Sequence, residues 1–119
     1  MIDLMELERR YIDAAIANGE AISNGNSRTA NREYHKLTKI YKILSKDRVT
    51  ARAFYSDLLL SQNYYVQIWV AAHLLGLNMD VDAALEILEQ LSSRTDIGII
   101  SLEAEMTIKE WKKNGYLLF

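Results

Sequence analysis

The stretch from Asn63 to Leu91, NYYVQIWVAAHLLGLNMDVDAALEILEQL, decides the fold of this chain. Its first part, about Tyr64 to Leu75, is rich in apolar residues. Its second part, Val81 to Leu91, mixes apolar and charged residues at the three- and four-residue spacing of an amphipathic helix. Gly76 to Met79 is typical of a helix end, and Asp80 is placed to cap the helix that follows. The stretch therefore predicts two consecutive helices joined by a short loop.

The sequence on either side of this stretch predicts four more helices. Their expected bounds are about Ile2 to Ser23, Ser27 to Leu44, Arg48 to Leu60, and from about Ile97 to Asn114. Asp47 is expected to cap the third helix, and Thr95 or Asp96 the last. Gly25 and Gly115 are expected to lie just beyond helix ends. The chain has no proline and only five glycines, which favours long helices over tight turns.

Length and composition predict one all-α domain over residues 1–119. A chain of 119 residues, half of them apolar, can build one core without disulfides or metals. The absence of cysteine suits a reducing cytoplasm, where we expect the protein to reside. The N-terminus lacks the pattern of a signal peptide, and no apolar run is long enough to span a membrane.

The short loops predict that consecutive helices are antiparallel neighbours. Two architectures satisfy this expectation: a short solenoid of helix pairs or a closed bundle. The apolar residues Leu117, Leu118 and Phe119 predict that the C-terminal tail docks on the core, with a truncated final helix as the alternative. The same three residues are candidates for a contact between two copies, so the pattern leaves a monomer and a homodimer open.

The stretch quoted above resembles a HEAT-like repeat. Residues that resemble its first helix are Val66, Ala71, Ala72, Leu74 and Leu75, and those that resemble its second are Ala84, Leu85 and Leu88. Gln67 stands where such helices usually carry an arginine. The segment from Ile97 to Gly115 resembles a closing repeat. The arrangement is similar to a family of small bacterial HEAT-like proteins of unknown function. The resemblance implies a short α-solenoid and, since such proteins are sometimes encoded beside toxins, an immunity partner that neutralises a toxin.

The sequence contains no pattern that predicts an enzyme, a cofactor site or a metal site. Its two histidines, His35 and His73, fall on different helices without an acidic partner at helical spacing, and His73 is expected in the interior. Glu103 and Glu105 are two residues apart and point to different sides of a helix. Phosphate-binding glycine loops, nucleophile elbows and zinc motifs do not occur in the sequence. We therefore expect no catalytic residue, no cofactor and no metal.

Charge is segregated along the chain. Residues 1–25 hold five acids and two bases, residues 26–56 eight bases and two acids, and residues 57–119 nine acids and four bases. Arg28, Arg32, Lys36 and Lys39 follow one another at spacings of four, four and three, which predicts a basic stripe on helix two. This stripe is either a solvated face, a set of partners for acidic helix one, or a docking surface for an acidic protein or a phosphate backbone. The pI of about 5.7 argues against nucleic acid.

The acidic residues of the C-terminal half are the second candidate surface. The candidates among them are Asp57, Asp80, Asp82, Glu86, Glu89, Asp96, Glu103 and Glu105. An acidic groove on a helical stack suits a basic partner such as a nuclease toxin. Tyr64 and Tyr65 begin helix four and could anchor an interface, although core packing is the alternative for Tyr65. The sequence thus favours a protein-binding module of the immunity type, with a nucleic-acid-associated regulatory domain on the basic stripe as the alternative.

Overall fold

The computed structural model describes residues 3–117 and residue 119, and these residues form six helices and no strand. The helices are α1 (Leu4–Ser23), α2 (Ser27–Leu44), α3 (Arg48–Leu58), α4 (Tyr64–Leu77), α5 (Val81–Ser92) and α6 (Ile99–Asn114). The predicted all-α fold is confirmed. The predicted first residue of helix one, Ile2, lies outside the described residues.

Helix α4 lies in the middle of the molecule. It contacts α1, α3, α5 and α6. Helix α2 packs on α1 and α3, and helix α5 packs on α4 and α6. α4 is apolar on nearly every side because it has neighbours on nearly every side: nine of its residues are buried and none of its residues is charged. α1 also contacts α6, so the first and last helices lie side by side.

Side-chain caps define most helix starts. The predicted cap Asp47 accepts hydrogen bonds from the backbone N–H groups of Val49 and Thr50, at 3.1 and 3.3 Å. Asp80 occupies the predicted N-cap position of α5, but its side chain makes no capping bond. Its backbone is left-handed, with φ of 45°, and its carboxylate accepts a hydrogen bond from the Arg52 guanidinium at 3.3 Å instead.

Four helix ends differ from the prediction. α5 ends at Ser92, one residue after the predicted Leu91. α3 ends at Leu58 and not at Leu60, because the chain turns there with a bond from Ser61 N–H to the Leu58 carbonyl. α4 continues past Gly76 to Leu77 and is closed by Asn78 in the left-handed conformation. α6 begins at Ile99 after Gly98, so the prediction of Thr95 or Asp96 as its cap is wrong. The Asp96 carboxylate is held by Arg94, at 2.6 Å.

The C-terminal tail folds back onto the helices, as predicted. Leu117 packs against the core, and the Phe119 ring lies 5.0 Å from that of Tyr41 and 4.7 Å from that of His73, measured between centroids. Leu118 lies outside the described residues. Among the helices of the described chain, none combines the length and apolarity needed to cross a membrane.

Candidate functional site

His73 on α4 is the only histidine in the core of the described chain, and an aromatic cluster surrounds it. The Tyr11 hydroxyl lies 2.6 Å from His73 Nδ1 and the Tyr55 hydroxyl 3.3 Å from it. The ring of Tyr41 packs beside the imidazole at a centroid distance of 4.5 Å. The other ring nitrogen, Nε2, has no hydrogen-bond partner among the described residues. His73 is therefore interior, as expected, and satisfied at one of its two nitrogens.

Burial determines the protonation state of this cluster. It lowers the pKa of His73 to about 3, because an imidazolium in this apolar interior would lose its hydration. Burial also raises the pKa of the Tyr11 and Tyr55 hydroxyls. At neutral pH all three side chains are uncharged. The described residues contain no group of three histidine, aspartate or glutamate side chains that could hold a metal ion.

The predicted acidic residues come from α3, the start and body of α5, the segment before α6, and α6 itself, and they differ in whether a neighbour engages their charge. Asp57 is exposed on α3 beside Glu8 of α1, and burial and then the Asp57 charge raise the pKa of Glu8. Asp80 pairs with Arg52, and Glu105 pairs with Lys109 at 3.0 Å. The charges of Asp80 and Glu105 are therefore paired with bases, whereas Asp57 lies beside another carboxylate.

Three of the predicted acids do form a surface, which we call the acidic face of α5. It consists of Asp82, Glu86 and Glu89, all exposed and all on the side of α5 opposite the buried Ala84 and Leu88. None of the three forms an ion pair with another described residue. This face is a free row of negative charge on a regular helix.

The predicted basic stripe is real but is partly neutralised. Arg32 and Lys36 both approach the buried carboxylate of Glu33, at 3.7 and 3.1 Å. Lys39 and Arg28 are exposed and form no ion pair with a described residue. Lys42 and Lys46 extend the basic stripe beyond Lys39 on the same side of α2 and just past its end. A shallow depression of about 350 Å³ is lined there by His35, Thr38, Lys39, Lys42, Ile43 and Lys46.

The two tyrosines at the start of α4 have different roles. Tyr65 packs against Gly19 of α1 so closely that a Cβ atom on Gly19 would lie 2.0 Å from its ring. This contact confirms core packing for Tyr65. The Tyr64 ring lies 4.6 Å from that of Tyr65, and the Arg94 guanidinium carbon lies 5.4 Å from the Tyr64 ring centroid. Tyr64 is therefore part of a surface cluster with Arg94 and its partner Asp96.

Sequence reasoning missed a cavity of about 130 Å³ between α1, α4, α6 and the tail. Its wall includes the aromatic residues Tyr65, Trp69 and Phe119 and, from α6, the acidic residues Glu103 and Glu110. We call it the aromatic cavity. One signal for it was present in the sequence, because Glu103, Thr107 and Glu110 share a helical face. The residues opposite them come from α1 and α4, and only the tertiary fold brings these together.

Comparison of the chain with protein-family models, with curated proteins and with solved structures gives no match.

Proposed function

We propose that this chain is a non-catalytic protein-binding module of the immunity type, which binds a basic toxin domain through the acidic face of α5. The observation that carries the proposal is the row of Asp82, Glu86 and Glu89, exposed on one side of a regular helix and unpaired within the described chain. Unpaired charges of one sign attract a partner of the opposite sign and orient it during encounter.

The fold supports the same proposal. The hairpin of α4 and α5 is the part that resembles a HEAT-like repeat, and the short α-solenoid that this resemblance implies is part of the proposal. Because α4 anchors α5 in the core through Ala84, Leu88 and Leu91, the acidic face is displayed on a fixed helix. A fixed surface loses little conformational entropy when it binds. A nuclease toxin needs a basic surface to attract nucleic acid, and a protein that covers this surface would block it.

The proposal is tested with the product of the open reading frame adjacent to the gene. We expect the two proteins to form a complex, and co-expression to restore the growth of cells that the neighbouring product inhibits. The triple variant Asp82→Asn, Glu86→Gln, Glu89→Gln should bind at least about tenfold more weakly, mainly through slower association, and should lose most of the salt dependence of binding.

The matched control changes three charges on a different helix, α2. The variant Arg28→Gln, Lys39→Gln, Lys42→Gln should bind the same partner with unchanged or higher affinity. If the basic variant loses affinity and the acidic variant does not, the docking face is on α2 and the proposal is wrong. A neighbouring product that neither binds nor is neutralised also contradicts the immunity role.

A second candidate function is a nucleic-acid-associated regulatory domain. The observation that favours it is the depression on α2 lined by Lys39, Lys42 and Lys46 beside His35. A gel shift with single- and double-stranded DNA and RNA at about 50 mM salt tests it, since electrostatic binding is strongest at low salt. Binding that is lost in the Arg28→Gln, Lys39→Gln, Lys42→Gln variant would support this candidate, and no shift at this salt would exclude it.

A further inference from the structure

The aromatic cavity combines features that a binding site for an organic cation needs: aromatic walls, a suitable volume and acidic residues. It is lined by three aromatic side chains, Tyr65, Trp69 and Phe119, with apolar residues such as Ile68 and Ala72 between them. Its volume of about 130 Å³ is close to that of an apolar cavity of about 150 Å³ that takes up benzene in another protein. A ligand of about six to eight non-hydrogen atoms fits this space.

Each aromatic wall is held in place by a contact with another part of the chain. Gly19 allows the Tyr65 ring to lie directly on the backbone of α1. Trp69 Nε1–H donates a hydrogen bond of 3.1 Å to Asn18 Oδ1, while Asn18 Nδ2 donates one of 2.9 Å to the Ala30 carbonyl. The Phe119 ring packs against Gly76, where a Cβ atom would lie 2.7 Å from it. The cavity is thus preformed, and a ligand need not order its walls.

The charged residues that line the cavity in the described part of the chain are all acidic. Glu103 and Glu110 line it on α6, one on either side of Thr107, and no lysine, arginine or histidine is among the described lining residues. The Thr107 hydroxyl donates to the Glu103 backbone carbonyl at 2.8 Å, so it does not donate to either carboxylate. Aromatic rings attract a cation through their quadrupole, and carboxylates add a Coulombic attraction.

We propose that the aromatic cavity is a binding site for a small organic ammonium ion. The alkyl part of the ligand would contact Ile68, Ala72 and the aromatic rings, while the ammonium group would lie between the rings and the two carboxylates. This site is separate from the acidic face of α5, and it does not depend on the proposed function.

Choline and its uncharged isostere 3,3-dimethyl-1-butanol are the probes that test this inference, because they differ in charge and hardly in shape. Binding is followed by the NMR signal of the Trp69 indole N–H, which donates a hydrogen bond to Asn18 at the cavity wall. A Trp111→Phe variant, which removes the other indole signal, assigns it. We expect choline to shift this signal in a saturable way and to bind at least about tenfold more tightly than the neutral isostere. Equal affinities would show a merely apolar cavity, and no saturable shift with either probe would show no site; both outcomes overturn the inference.

Charge variants locate the cation. The double variant Glu103→Gln, Glu110→Gln should bind choline at least about fivefold more weakly without changing the affinity for the isostere. Glu89→Gln is the matched control, since it removes a carboxylate from the acidic face of α5 and should leave choline affinity unchanged. Equal losses in the two variants would indicate nonspecific attraction by the net charge and would overturn the inference. Circular dichroism melting of each variant shows that it is folded.

Discussion

Helices α4 and α2 show how the extent of burial decides what a helix can do. α4 contacts four other helices and has no charged residue, whereas α2 packs on two and carries a base at nearly every turn of its outer side. Each of the two helices carries one histidine. On α4 it is buried and uncharged, and on α2 it is exposed beside lysines. The interior helix therefore builds the fold, and the outer helices α2 and α5 present the charge that partners could recognise.

The largest expected effect is a truncation on α4. Leu74 is fully buried, so Leu74→Ala should lower the free energy of unfolding by about 2–5 kcal/mol through lost burial and a cavity. Urea denaturation measures this loss. Lys39→Ala on the outer side of α2 is the control and should change stability by less than about 0.5 kcal/mol. Similar losses at the two positions would contradict the division between an interior and an outer helix.

The pH dependence of stability sharpens the comparison between the two histidines. The unfolded chain binds a proton at His73 below about pH 6.5, whereas the folded protein resists protonation there because burial lowers the pKa of His73 to about 3. The free energy of unfolding should therefore be highest above pH 6.5 and fall as the pH drops toward 3, by up to about 1.4 kcal/mol per pH unit.

Denaturation at several pH values from about 7.5 down to 5 isolates this effect, since most carboxylates titrate below that range. The slope should persist in a His35→Gln variant, because the burial of His73 causes it. It should be absent in His73→Gln if that variant folds. A flat profile in the wild-type protein would show that the imidazole is not held neutral in the interior.

The close contact of α1 with α4 predicts a smaller effect. Alanine is a better helix former than glycine by about 1 kcal/mol, yet Gly19→Ala should destabilise the protein. Its Cβ atom would overlap the Tyr65 ring, and overpacking of this kind costs about 1–3 kcal/mol. In a Tyr65→Ala background, Gly19→Ala should become neutral or stabilising. A double-mutant cycle measured by thermal denaturation detects this coupling, and additive effects would contradict the contact.

The smallest effect is expected on the acidic face of α5. The variant Asp82→Asn, Glu86→Gln, Glu89→Gln should change the free energy of unfolding by less than about 1 kcal/mol, because these exposed side chains have no ion-pair partner among the described residues. Thermal denaturation at low and high salt checks this prediction. A large loss of stability would mean that the face supports the fold and is not free for a partner.

The sequence allowed much of the fold to be predicted and little of the candidate sites. Regular spacing of apolar residues located all six helices, and Asp47 was recognised as a cap because capping depends on local residues. The cap of α6 was predicted wrongly, because Arg94 binds the Asp96 carboxylate and Gly98 takes the N-cap position. The capping preferences of single residues do not show which carboxylate a neighbouring arginine will bind.

The sequence by itself determined the helices, the burial of His73 and the separation of basic from acidic segments, because each of these follows from residues close together in the chain. Only the tertiary structure decided which charges stay free, which carboxylates pair with bases, and which aromatic rings meet in a cavity. The aromatic cavity joins Gly19, Trp69, Glu103 and Phe119, which lie far apart in sequence. Such a juxtaposition depends on how helices pack, and the periodicity of any one helix carries no information about the residues that its neighbours place opposite.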